Sequence, residues 1–467
     1  MTAEPPSPPG PAGPSEDRAW RLVLVIVAVS TLARLAYTVF LIDYAALRSP
    51  EWGPDSPVYS NAAAALHAHG LFTGGMEGIP FWPAGYPVFI AAVYSLTGLG
   101  TIALFVVQQL ALSATMLLAY RLATRELSPA AGVGAVLMLA VSPALGLSAS
   151  TFMYEPLLAL CAVACADLAS RAVHRPPGAR RTSALAGAFL VAGLGATLQP
   201  KLLPAGAAVA LWAMWRTRQV AVPLLCALAM AIGPAALVVR NWKAGDGVVL
   251  SANLGFTLLT GANDHADGGY VDDQVAAATC GGRDSSLDPS LDAQWRDCAL
   301  DWMRRHPMRT VLLTVPKAAH LWLPFSGTLG RRGTWQHALD HHRWLPDAWL
   351  RNRLFHVVDT AAGALWAAGA LGLLLLGFAR ALRDPGTRAA AVLLAAPVVV
   401  FTLISMATIG DARFRLPVAP FASAFIAYAL LPMIDRAGRT RRATTASRPR
   451  CDPPLRCRPA PRSTHGL

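Results

Sequence analysis

Four side chains in this sequence have the types and placement to do chemistry. Arg413 and Arg415 stand two residues apart in "GDARFR", Asp55 is alone between Pro54 and Ser56 in "EWGPDSPVYSNAAAALHAHGLF", and Glu155 lies in "ASTFMYEPLLAL". A guanidinium presents a planar fork of donors suited to phosphate oxygens, and an ionised carboxylate can take a proton from an attacking hydroxyl. Lys201, after Gln199-Pro200, and Arg240 add positive charge, while Asn253 and Asn263 in "SANLGFTLLTGAN" add amides for ligand hydroxyls. Each also has a plainer use. A basic residue at a helix end snorkels to headgroups, an asparagine forms turns, and a carboxylate ahead of a helix caps it.

The neighbourhood of Asp55 reads as a short helix over about 57–69, with Ser56 as N-cap, Pro57 at the first helical position and Gly70 as terminator. Val58, Tyr59, Ala62, Ala63 and Leu66 recur at helical spacing and predict an apolar face laid on a membrane. Asp55 then stands just ahead of the positive end of the helix dipole, where negative charge is stabilised. Capping and proton acceptance both fit that position.

A bilayer must position these groups. Of 467 residues, 54% are hydrophobic and only 14% charged, where an ordinary soluble domain carries about 25% charged. Apolar runs of roughly 17–25 residues, enough to cross the hydrocarbon core, recur along the chain. They predict spans at 20–42, 101–123, 128–147, 152–172, 183–199, 202–216, 219–239, 355–379, 389–409 and 414–433. The fold class is therefore an all-α polytopic membrane protein of about ten transmembrane helices. A first extracytoplasmic loop of short interfacial helices covers 43–100, and a second, larger one covers 240–354. Residues 1–19 read as a disordered cytoplasmic tail, 20–433 as the membrane-embedded domain, and 434–467 as a basic, disordered cytoplasmic tail.

The net charge of +13 resides largely in short loops and the tail, so it is an orientation signal rather than a nucleic-acid footprint. It places both termini in the cytoplasm of a multi-pass protein of the plasma (inner) membrane. The segment "MRTVLLTVPKAAHLWLPF" is then expected to lie in the interface, anchored by Trp322 and Lys317, because an eleventh span would put the basic tail outside. In this arrangement Asp55, Glu155, Lys201, Arg240, Arg413 and Arg415 collect at the outer ends of spans and can line one outward-facing cavity. Ionisable groups at a membrane default to function, and arginine in a very short outer loop favours binding of an anion over anchoring. Arg34, inside the first span, is expected to point into the bundle.

Other signals are weaker. Cys161, Cys165 and Cys226 lie in apolar runs and read as buried, whereas Cys280 and Cys298 share a polar loop and are open to a disulfide or to free thiols. "HALDHH" spaces His337, Asp340 and His341 helically but lacks the HExxH pattern, and neither a P-loop lysine motif nor a GxGxxG fingerprint is present.

"GPDSPVYSNAAAALHAHGLF" followed by "PFWPAGYPVFIAAVYSLTG" resembles the first outer loop of the C-type glycosyltransferase superfamily, especially bacterial relatives of the protein O-mannosyltransferases and aminoarabinose transferases. "SPALGLSASTFMYEPLLAL" resembles their glutamate-bearing span, "VVRNWKAGDGVVLSANLGFTLLTGAN" the loop after their central spans, and "DARFRLPVAPF" their closing Arg-aromatic-Arg segment. The resemblance implies a polyprenyl-phosphate-linked sugar donor taken from the extracytoplasmic leaflet. It implies transfer to a lipid, glycan or protein acceptor with inversion, Asp55 acting as general base and the arginines holding phosphate. Relatives often carry Asp-Glu where this chain has Asp55-Ser56, so no cofactor is obligatory and a divalent metal is left open. They carry Arg-Pro where this chain has Gln199-Pro200-Lys201. The rival expectation is a lipid or sugar transporter or flippase, whose binding groups sit near the midplane on paired broken helices; here they favour the outer ends of spans.

Overall fold

The computed structural model describes residues 14–41, 55–271, 275, 278–280, 289–322 and 353–446. The "HALDHH" stretch and most of both predicted tails lie outside them. Among the described residues all regular structure is helical, and seven helices are long and apolar enough to cross a membrane. Helix α1 covers Pro14–Ala36, followed by the short helices α2 (Ser56–His69) and α3 (Gly85–Thr97), then α4 (Gly100–Glu126), α5 (Pro129–Ala140), α6 (Pro143–Ser148) and α7 (Glu155–Val173). Next come α8 (Ala179–Leu198), α9 (Leu202–Thr217), α10 (Ala221–Lys243) and α11 (Leu254–Gly261). The second half holds α12 (Asp292–Arg305), α13 (Pro307–Trp322), α14 (Arg353–Arg383), α15 (Arg388–Ala407), a 3-10 turn over Ala412–Val418 and α16 (Ala419–Ala446).

Each of the ten predicted spans meets helix, with local departures. The one at 128–147 breaks into α5 and α6 because Pro143 forces Ser142 out of helical geometry, to ψ 107°. α9, at 16 residues, is shorter than a typical crossing. α16 continues beyond the predicted end at 433 to Ala446.

The bundle core is made by α7 and α10 packing on α8, by α4 on α5 and α7, and by α16 on α5 and α14. Arg34 does point inward, its Nε donating to Gln109 Oε1 at 3.0 Å. Cys161, Cys165 and Cys226 are free thiols, with Cys161 only half-buried, and Cys280 is bonded to Cys298 with the two Cα atoms 6.0 Å apart.

Two expectations about the membrane surface are corrected. The apolar face of α2 lies against the protein: Val58, Tyr59, Ala62, Ala63 and Leu66 are buried, with the Tyr59 ring 5.1 Å from Tyr86 and 6.2 Å from Tyr154. Tight ring packing with α3 and the start of α7 competes successfully with lipid for that face. In α13, Lys317 is 2% exposed and Trp322 donates its indole N–H to Thr402 Oγ1, so neither is a headgroup anchor. The apolar side chains that α13 leaves exposed are Met308, Val311, Leu312 and Val315.

The connections that roof the bundle approach one another backbone to backbone. Gly261 and Gly410 leave no room for a Cβ, since one would meet the Thr408 carbonyl and the other that of Lys317. Gly410 N–H also donates to Gly268 O at 2.9 Å.

Candidate active site

A cavity of about 760 Å³ opens where α2, α7, α9, α11 and the 3-10 turn converge, and Asp55, Lys201, Asn253, Asp411 and Arg413 line it. Arg413 organises its charged wall. NH1 donates to Asp55 Oδ2 at 2.8 Å, and Nε stands 2.9 Å from Glu155 Oε1. The Glu155 contact is an ion pair by distance with an angle outside hydrogen-bond geometry, so both Glu155 oxygens lack a hydrogen-bond donor. Asp411 fixes the start of the turn by accepting from the Arg413 backbone N–H at 2.8 Å. Glu155, 1% exposed, lies beneath the cavity at the first residue of α7.

Asp55 occupies the N-cap place of α2, yet its carboxylate makes no cap bond and its backbone is already helical, at φ −82° and ψ −18°. Ser56, expected as the cap, is instead the first helical residue, because the chain turns one residue earlier. Pro57 contributes no N–H to the first turn, and the Asp55 side chain turns to Arg413.

Lys201 stands at the turn between α8 and α9, with Nζ 3.2 Å from the centroid of the Phe414 ring. That nitrogen is buried and has no hydrogen-bond partner. Burial, reinforced by the charge of Arg413 and opposed by Asp411 and Glu155, lowers its pKa to about 7. Beside it Gln199 Nε2 donates to Tyr154 Oη at 2.8 Å.

Three residues expected at the site are not brought to it. Arg240 is buried and spent on its neighbours, donating NH1 to Asp246 Oδ2 at 2.7 Å and Nε to the Leu71 carbonyl at 3.0 Å. Asn263 closes α11, with Nδ2 donating to Leu259 O and Oδ1 accepting from the His265 N–H, both at 2.8 Å. Arg415 donates NH1 to the Trp322 carbonyl at 2.6 Å and lines a separate apolar groove of about 400 Å³ with Met138, Leu371 and Ile426. A 3-10 turn has three residues per revolution, so positions two apart point about 120° away from each other. The two arginines therefore face different spaces.

Sequence reasoning passed over Asp411, Tyr154, Trp82 and Phe256, all of which line the cavity. Asp411 was visible inside "GDARFR"; the aromatics carry no local signal that separates them from core residues. As for a divalent metal, Asp55 already accepts from an arginine, and no group of three His, Cys, Asp or Glu converges among the described residues. This donor set does not fit a metal site.

Residues 82–242 match the family of dolichyl-phosphate-mannose-protein mannosyltransferases. No curated protein matches the sequence. Among solved structures, the oligosaccharyltransferase AglB from Archaeoglobus fulgidus, in complex with an inhibitory peptide and a dolichol-phosphate, is similar at 13% identity and a TM-score of 0.47, covering 93% of this chain and 53% of its own. This chain thus spans about half the length of that enzyme. ArnT from Cupriavidus metallidurans bound to undecaprenyl phosphate is similar at 14% identity and a TM-score of 0.38, covering 93% of this chain and 81% of its own. The match covers residues 82–242, and the ordered first-loop, glutamate-span and closing-arginine motifs resemble those of the C-type glycosyltransferase superfamily.

Proposed function

We propose that this chain is a membrane glycosyltransferase that moves a sugar from a polyprenyl-phosphate donor to a hydroxyl of a lipid, glycan or protein acceptor, with inversion. The reaction takes place at the extracytoplasmic face of the plasma membrane, and both termini are cytoplasmic. The observation that carries the reading is the direct contact of Asp55 with Arg413 in a cavity that also holds the unpaired amine of Lys201. The family match supports a donor of this class.

The chemistry follows from the charges. The acceptor oxygen attacks the anomeric carbon as the bond from that carbon to the phosphate oxygen breaks, and the hydroxyl proton passes to Asp55. Negative charge gathers on the departing polyprenyl phosphate, where Arg413 and Lys201 stabilise it. The donor phosphate competes with Asp55 for the Arg413 guanidinium, so binding of donor also frees the carboxylate. Glu155 holds Arg413 from below through its Nε, leaving the far edge of the guanidinium for phosphate. No step is routed through a metal.

Asp55→Asn tests the assignment cleanly because the carboxylate makes no cap bond to lose. Single-turnover transfer is expected to fall about 10²- to 10⁴-fold, the usual cost of losing a general base, while donor titration on the same preparation shows binding retained or tightened, because the carboxylate that competes for Arg413 is gone. Near-parental turnover would remove Asp55 from the mechanism.

A further inference from the structure

The cavity lining is of two unlike kinds, charged groups and aromatic rings. Facing the space shared with Asp55, Lys201 and Arg413 are the half-buried rings of Trp82 and Phe256. We propose that these two rings are the platform for the apolar face of the donor's sugar ring; this rests on reading the cavity as the donor site. A sugar ring carries hydroxyls around its rim and C–H bonds on its faces, and slightly positive C–H hydrogens match the negative face of an aromatic ring.

Both rings are held in place before any ligand arrives. The six-membered ring of Trp82 rests on Gly78, where a Cβ would come within 2.8 Å of Cζ3. Phe81 meets Trp82 edge-on at 4.8 Å and 73°, and Tyr59 meets it at 6.3 Å and 66°. Phe256 lies 5.3 Å from Phe81 and 5.3 Å from Trp295. Phe81, which also borders the cavity, and Trp295, at 1% and 4% exposure, back the cluster. Were the cluster only core, Trp82 and Phe256 would be covered as well; instead they line the cavity. Fixed rings lose little freedom on binding, so their contact adds to affinity rather than offsetting an ordering cost. Ser251 also lines the cavity and supplies a hydroxyl for the rim of the sugar.

The test separates the sugar from the phosphate. The purified full chain is titrated with a set of polyprenyl-phosphate hexoses and pentoses, and with polyprenyl methyl phosphate, which keeps the diester charge and lacks the ring. The ratio of the best sugar-bearing affinity to the methyl ester affinity measures what the ring adds. Trp82→Leu is expected to cut that ratio about threefold to tenfold and to leave the methyl ester affinity unchanged. Phe256→Leu does the same, and decides the matter if Trp82→Leu fails to bind the methyl ester. Parental ratios in the variants, or a parent that binds sugar-bearing and methyl esters equally, overturn the platform. A parent that binds neither ester overturns the donor-site reading itself, and the platform falls with it.

Discussion

Raising the pH from 6 to 8 is expected to weaken binding of a polyprenyl phosphodiester about tenfold, and Lys201 is the reason. Its amine titrates at about 7 in the ligand-free protein. The ammonium form, which attracts phosphate, is therefore ~90% populated at pH 6 and ~10% at pH 8. Burial is the main cause; Arg413 pushes in the same direction, and Asp411 and Glu155 push back without cancelling it. A group whose folded pKa is depressed in this way carries its charge fully only below that value, so the attraction is present at low pH and lost as pH rises through 7. A phosphodiester does not titrate in this window, which leaves the protein as the source of the slope. The assay is titration of polyprenyl methyl phosphate at fixed ionic strength across pH 6 to 8. Lys201→Gln should bind more weakly with a shallower profile, and Lys201→Arg should bind with a shallower profile than the parent because arginine stays charged. A flat parental profile, or an undiminished slope in Lys201→Gln, refutes the reasoning.

Two further outcomes follow from the arginines and the topology. Arg413→Lys keeps the charge but cannot reach Asp55 and Glu155 as a fork, so donor affinity should fall by about tenfold. Arg415→Lys, away from the cavity, should keep donor affinity and lower the melting temperature, and equal losses of affinity in both would contradict the geometry. Cysteine introduced by Arg305→Cys, at an exposed position of α12, should react with an impermeant thiol reagent in intact cells once Cys280 and Cys298 are replaced by serine. Cys451 and Cys457 in the tail should not react, and the reverse pattern overturns the proposed orientation.

Much of the scaffold was readable from local pattern, since apolar run length locates membrane helices, although the break at Ser142-Pro143 was passed over inside the single span read at 128–147. The same is true of α2, whose periodicity named its buried face correctly but could not name the partner of that face. Membrane lipid and a neighbouring aromatic helix present the same apolar demand. The pairing of Asp55 with Arg413 spans most of the chain, and no local spacing encodes it. Arg415 looked equivalent to Arg413 because the 3-10 geometry that turns them apart is a tertiary outcome. Arg240 has its carboxylate partner only six residues on, at Asp246, a pairing that reading by motif order alone overlooks.

The glycine contacts in the roof bear on how Arg413 meets its ligand. With the Gly410 backbone against the Lys317 carbonyl, Gly261 against Thr408, and Arg415 tied to the last carbonyls of α13, the turn bearing Arg413 and the end of α13 behave as one stiff plate. No compressible side chain lies between these backbones to absorb a shift, and close-packed interiors transmit displacement rather than damp it. The arginine is thus aimed before donor arrives, and what remains free to move is the rotation of its own side chain. Polarity that need not reorganise during the reaction is worth more than polarity that must be assembled.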